Sequence, residues 1–125
     1  MYVMGVFSVT IAIGDPQGER FKELQALVDT GATWTWVPGD ILERLGYRPA
    51  FKRQLTTADN RRIDRDGAEV LVRIAGETLH TICIFGDPRS QVLLGATTLE
   101  QFSLAPDPVS QRLVPVAGLL MSLFE

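Results

Sequence analysis

Leu27 and Val28 run directly into Asp29-Thr30-Gly31-Ala32, and the chain then resumes an alternating pattern through Thr33-Trp34-Thr35-Trp36-Val37-Pro38. An acid that follows two apolar residues stands at the end of a buried strand, and the glycine two positions on lets the backbone turn tightly there. The pattern restricts the local fold to strand, tight turn and strand, with the carboxylate at the turn. A second run, Val92-Leu93-Leu94-Gly95-Ala96-Thr97, echoes it. Both are apolar stretches that turn on glycine ahead of a short helical segment.

Turn signals come at short intervals: Asp15-Pro16-Gln17-Gly18, Asp59-Asn60, Asp66-Gly67, Ala75-Gly76, Gly86-Asp87-Pro88 and Pro106-Asp107-Pro108. The runs between them, residues 6–13, 68–74 and 78–85, read as strands, so the spacing predicts an all-β sandwich or barrel. Two short helices interrupt it. Pro38-Gly39-Asp40 leads into residues 41–45, which stop at Gly46, and residues 97–102 form the second, with Thr97 available as N-cap. Residues 20–28 are ambiguous. Their propensities and the spacing of Phe21, Leu24 and Leu27 favour helix, whereas the turn at Asp15–Gly18 would fold them back as a strand along residues 6–13.

A chain of 125 residues holds one core, so residues 1–125 are read as a single domain. The net charge of −3 creates no field that favours nucleic acid or an anionic membrane. Lone Cys83, within Thr81-Ile82-Cys83-Ile84-Phe85, is expected to be a buried small hydrophobe. The apolar start has a period of two at Phe7, Val9, Ile11 and Ile13, a strand pattern. The sequence therefore predicts no secretory leader and no membrane span, and a cytoplasmic location.

Asp29-Thr30-Gly31 in this setting resembles the catalytic loop of aspartic proteases, and Trp36-Val37-Pro38 stands where the pepsin-like branch carries the same residues. Leu93-Leu94-Gly95 matches that family's second apolar-apolar-Gly element by position and composition. In organisation the resemblance spans roughly residues 6–116. It implies a retropepsin-like closed β-barrel or sandwich lobe with one or two short helices and a flap hairpin, and it requires residues 20–28 to be a strand ending at Asp29.

The family hydrolyses peptide bonds with two carboxylates that share one proton, because two like charges at hydrogen-bonding distance cannot both ionise cheaply. The ionised carboxylate takes a proton from the attacking water while its protonated partner donates to the scissile carbonyl. No other Asp in this chain is followed by Thr-Gly or Ser-Gly. The resemblance therefore implies the retroviral arrangement, a homodimer with Asp29 from each subunit as the catalytic group and a protein or peptide as substrate. Thr30 would bond across the two-fold axis, and Gly31 would leave room for the two loops to approach. Ala32 stands where family members have Ser, Thr or Ala. Without a hydroxyl there, the dyad is expected to hold its shared proton to higher pH.

The resemblance places the flap at residues 53–67, with Asp59-Asn60 as a tight two-residue turn and Thr57, Ala58, Asp59 and Asn60 as flap residues over the substrate. The usual run of glycines at the tip is missing. Trp34 is a candidate for lining the substrate site, and Trp36 is assigned to the core. His80 is read as structural. No His or Cys cluster has metal-ligand spacing, so no metal or other cofactor is expected. Lys52, Arg53, Arg61, Arg62 and Arg65 crowd the flap and would suit acidic substrates. Balance by Asp59, Asp64 and Asp66 on a solvated hairpin is the reading adopted. The apolar tail, residues 114–125, is expected to be buried, in an intersubunit sheet or in a groove of its own subunit. A catalytically silent dimerising or peptide-binding module on the same fold is the alternative function.

Overall fold

A computed structural model describes residues 7–120. Nine strands and two short helices follow one another in them. Strands β1 (Ser8–Gly14) and β2 (Phe21–Val28) form an antiparallel hairpin around the Asp15–Gly18 turn. Asp15 organises that turn: its Oδ1 accepts the N–H groups of Glu19 (2.8 Å) and Arg20 (3.2 Å). Burial pushes the Asp15 carboxyl up, but these donors and the Arg20 guanidinium outweigh it and hold the group below its ordinary value. The strand reading of β2 is thus borne out against its helical propensity, because pairing with β1 supplies what an isolated helix would lack.

After β3 (Thr35–Pro38) comes α1 (Gly39–Leu45). It ends where the sequence predicted, at Gly46 with φ 109°, and the N–H groups of Gly46 and Tyr47 return to Glu43 and Leu42. Next come β4 (Phe51–Thr56), β5 (Arg62–Ile74) and β6 (Glu77–Gly86), all antiparallel neighbours. The β5–β6 connection is the two-residue turn Ala75-Gly76, both in the left-handed region. Strand β7 (Val92–Leu94) and helix α2 (Ala96–Gln101) precede a separate two-stranded ribbon, β8 (Leu104–Asp107) and β9 (Arg112–Pro115).

The strand order β1-β2-β7-β3-β6-β5 closes on itself because β5 also pairs with β1, which makes a six-stranded barrel. Inside it lie Ile11, Ile13, Val28, Val37, Val70, Val72, Cys83 and Leu94, all essentially inaccessible. Burial pushes the Cys83 thiol up to about 12, so it behaves as the apolar residue expected. Strand β4 hangs from β5 outside the closed barrel as an edge.

Three local expectations are corrected. Asp66-Gly67 is not a turn but lies inside β5, which runs unbroken through the flap and into the barrel. Gly67 serves there as a close approach, since a Cβ would sit 2.4 Å from the Phe51 ring. Thr97 does not cap α2: extended Gly95 is the N-cap, with no side-chain bond. The flap tip is also wider than a two-residue turn. Thr57 N–H donates to Arg61 O (2.8 Å), leaving Ala58-Asp59-Asn60 as a three-residue connection with Asn60 at φ 66°.

The buried Tyr47 hydroxyl donates to Gly14 O (2.5 Å) and accepts from Leu71 N–H (3.1 Å). Gly14 and Leu71 are register partners at the seam where β1 meets β5. Tyr47→Phe should leave two backbone groups unpaired and destabilise the chain by about 1–3 kcal/mol in urea titration. A change below a few tenths would show that the seam does not depend on this hydroxyl.

Candidate active site

The Asp29 loop is held by the segment that its sequence echo occupies. Parallel pairing sets Ala26, Leu27 and Val28 beside Val92, Leu93 and Leu94. One rung further, Asp29 N–H donates to Leu94 O at 3.0 Å. The chain then turns: Ala32 N–H returns to Asp29 O (3.1 Å), and Gly31 N–H donates to Asp29 Oδ1 (3.0 Å). Ala96 and Thr97 donate in turn to the carbonyls of Ala32 (2.8 Å) and Thr33 (2.9 Å). The loop is therefore fixed from its first residue to its last.

Gly95 makes this approach possible. A Cβ there would lie 2.5 Å from the carbonyl carbon of Trp34 and 3.0 Å from Ala32 O. Gly95 N–H donates to Thr35 Oγ1 (3.1 Å), the first of three buried hydroxyls. Thr35 and Thr98 are 2.7 Å apart, and Thr98 and Thr81 are 3.0 Å apart. A fully paired chain of hydroxyls in a dry site joins β3, α2 and β6 behind the loop.

Beside the loop opens a cleft of about 370 Å³. Gly31, Ala32 and Thr33 form one side, and Gln54, Leu55 and Thr56 of the flap strand β4 line it as well. Trp34 and Trp36 also face it, with Ile84 and Leu93. The alternation on β3 explains this: Thr35 and Val37 are buried in the barrel, so Trp36 shares the outward face with Trp34. Assigning Trp36 to the core is corrected. It is half-buried, and its Nε1 donates to Ser90 Oγ (2.8 Å).

Of the residues singled out in the sequence, Asp29, Thr30, Gly31 and Ala32 come together as one loop, with Gly31 exposed and the others half-buried. Trp34 lines the cleft. Thr57, Ala58, Asp59 and Asn60 form the flap tip but do not line the cleft of the single chain, to which the flap contributes Gln54, Leu55 and Thr56 instead. The tip is knit together: Thr57 donates to Asp59, and Arg61 Nε reaches Asp59 Oδ2 at 2.9 Å. The Thr57 hydroxyl, helped by Arg61, holds the Asp59 carboxyl below its ordinary value. His80 is exposed on β6, and its carbonyl accepts from Gln101 Nε2. Trp36 was legible from strand parity. Gln54 and Leu55 had no sequence signal.

Residues 20–101 match the model of the gag-polyprotein aspartyl protease family. The chain belongs to that family. The match spans β2 through α2, and so includes the Asp29 loop, the flap and the clamp at Gly95. No curated protein matches the chain by sequence. Among solved structures, the solution structure of simian foamy virus (mac) protease is similar, with a TM-score of 0.55 at 21% identity. The similarity covers 80% of this chain and 99% of the viral one, and it bears out the retropepsin-like barrel.

Because the atoms facing Gly95 are backbone, Gly95→Ala cannot be absorbed by a rotamer change. It should destabilise the protease domain by about 1–3 kcal/mol or more and shift the Trp34 environment, read by denaturant titration and tryptophan fluorescence. Gly118→Ala, which enters open space, should stay within about 0.5 kcal/mol. Equal effects would remove the clamp's special status.

Proposed function

We propose that the chain is an aspartic endopeptidase that works as a homodimer, with one Asp29 from each subunit. The carrying observation is the Asp29-Thr30-Gly31 loop, clamped at both ends and opening on a cleft that reaches the flap strand. One carboxylate cannot act as base and acid in the same step, so a single loop per chain calls for a second copy. The ionised Asp29 takes a proton from water as the water oxygen attacks the scissile carbonyl carbon. The protonated Asp29 of the mate donates to the carbonyl oxygen, giving a neutral tetrahedral diol. The first Asp29 then passes the proton it took from water to the nitrogen. The C–N bond breaks as the amine leaves, and a diol hydroxyl returns a proton to the mate's carboxylate. Gly31 N–H on Asp29 Oδ1 orients one carboxylate oxygen and leaves the other for this chemistry.

Exposed apolar groups near the chain end support the dimer. Val116 is 44% exposed, Leu119 88% and Leu120 80%, an uncommon sequence of side chains to leave in water. Val116 N–H donates to Ser103 O (2.9 Å), yet the side chains of Val116, Leu119 and Leu120 stay exposed on the single subunit, so the intersubunit version of tail burial is the one kept. Residues 121–125 of that tail lie outside the described part of the chain.

The deciding experiment pairs mass in solution with cleavage of an unfolded protein mixture, wild type against Asp29→Ala. A dimer whose cleavage disappears in the variant, by a factor of at least about 10³, supports the shared dyad. A dimer with no cleavage from acid to neutral pH would favour the silent peptide-binding module, and a monomer would point to a different partner subunit.

Ala32 offers no hydroxyl to the carboxylates. Installing one with Ala32→Ser adds a donor that favours the ionised form, so the pH–rate profile should move to lower pH. A wild-type enzyme active only in strong acid would contradict this reasoning.

A further inference from the structure

The two faces of the flap hairpin differ in charge. Register pairs Lys52 with Asp66, Gln54 with Asp64 and Thr56 with Arg62 on the outer, more exposed face, from whose edge Gln54 and Thr56 also reach the cleft. There the balance expected from composition holds, with Lys52 Nζ 2.9 Å from Asp66 Oδ1. The other face carries Phe51 opposite Gly67, Arg53 opposite Arg65 and Leu55 opposite Ile63. It holds two guanidinium groups and no carboxylate. Like charges directly opposite on a strand pair are unfavourable, so the pairing of Arg53 with Arg65 by itself works against the hairpin.

Both cations lie over the tryptophans of the cleft. Arg53 is 5.7 Å from the Trp34 ring centre and 4.3 Å from that of Phe51, and Arg65 is 5.9 Å from that of Trp36. Aromatic faces hold a cation in place without neutralising it. Arg65 has one acidic neighbour, Asp87 at 3.3 Å, a side chain that is itself 64% exposed. Its Nη1 donates to Asp64 O (2.9 Å), whereas its Nε is shut off from solvent with no hydrogen-bond partner among the described residues. Arg53 makes no ion pair among the described residues, and its Nη1 donates to Lys52 O (3.0 Å). A guanidinium has five N–H donors in a planar fork that matches a carboxylate. Most of the Arg53 fork is uncommitted.

We infer that Arg53, seated on Trp34 with Arg65 opposite, forms a carboxylate-recognising subsite of the cleft, and that the protease selects peptides bearing an Asp or Glu side chain close to the scissile bond. The inference rests on the peptidase reading above and names its substrate class. Arg53 does not itself line the cleft, but it lies over Trp34, which does, and Leu55 on the same face of β4 lines it too, so a peptide leaving the cleft along the flap meets the Arg53 guanidinium. Charge balance over the whole flap conceals this site, because the acids that offset its five cations stand on the outer face, at the tip and beyond the hairpin.

The test uses two C-terminally amidated peptides that differ only in Glu or Gln near the cleavage site, so that no terminal carboxylate competes. Binding is followed by fluorescence anisotropy on Asp29→Asn protein and kcat/KM on the wild type. Charge-assisted recognition should favour the Glu peptide by about tenfold or more in both readouts. Arg53→Gln should bring the ratio to within about twofold, and Arg53→Glu should turn the preference toward a Lys peptide. Equal treatment of the two peptides by the unaltered flap, or a preference that survives Arg53→Gln, overturns the subsite while leaving the peptidase standing. Binding to Asp29→Asn protein with a Glu preference, but no wild-type cleavage, would uphold the subsite and remove the peptidase. Failure to bind or cleave any peptide overturns both.

Discussion

Four backbone N–H groups hold the Asp29 loop against the β7–α2 junction, and the rest of the architecture makes that contact possible. Asp29 reaches Leu94, Ala96 reaches Ala32, Thr97 reaches Thr33, and Gly95 reaches the Thr35 hydroxyl. Each bond contributes only about 1 kcal/mol net, but a buried donor left unpaired costs about 1–3 kcal/mol. The penalty for any other loop conformation is therefore larger than the reward for this one. The contact exists because position 95 has no Cβ and because Thr35, Thr98 and Thr81 satisfy one another behind it.

The barrel supplies the stiffness. Its closure at β1–β5, pinned by the Tyr47 hydroxyl, leaves the six core strands without a free edge, and the loop projects from the end of β2. The flap is built on the opposite principle. Strand β4 pairs only with β5 and lies outside the closed barrel, so the hairpin is joined through one strand. The clamped Asp29 loop and a hairpin attached along one side thus border the same cleft.

Much of the fold was legible in the residues, and the exceptions have physical causes. Strand β2 carries helix-forming residues, and its identity came from the Asp15–Gly18 turn and the loop it feeds. Asp66-Gly67 has turn composition, yet the glycine is there to admit the Phe51 ring within a continuous strand. The wider flap tip follows from Thr57 and Arg61 pairing before the turn, which the residue types at 59 and 60 do not reveal. Trp36, farther from the Asp29 loop than Trp34, is assigned to the core from sequence. Strand parity sends it to the cleft, since Thr35 and Val37 already fill the interior side.

By itself the sequence determined the acid and its turn, the alternating strands, the single core and the single Asp-Thr-Gly triplet, because these depend on local residue order and on counting. Only the tertiary structure decided what meets what. It set the echoing apolar runs side by side, turned Gly95 from a loop glycine into a contact point, and divided a balanced set of flap charges into a neutralised outer face and a cationic inner one. Register decides such matters, and register is fixed by long-range pairing and core packing, which no short stretch of residues specifies.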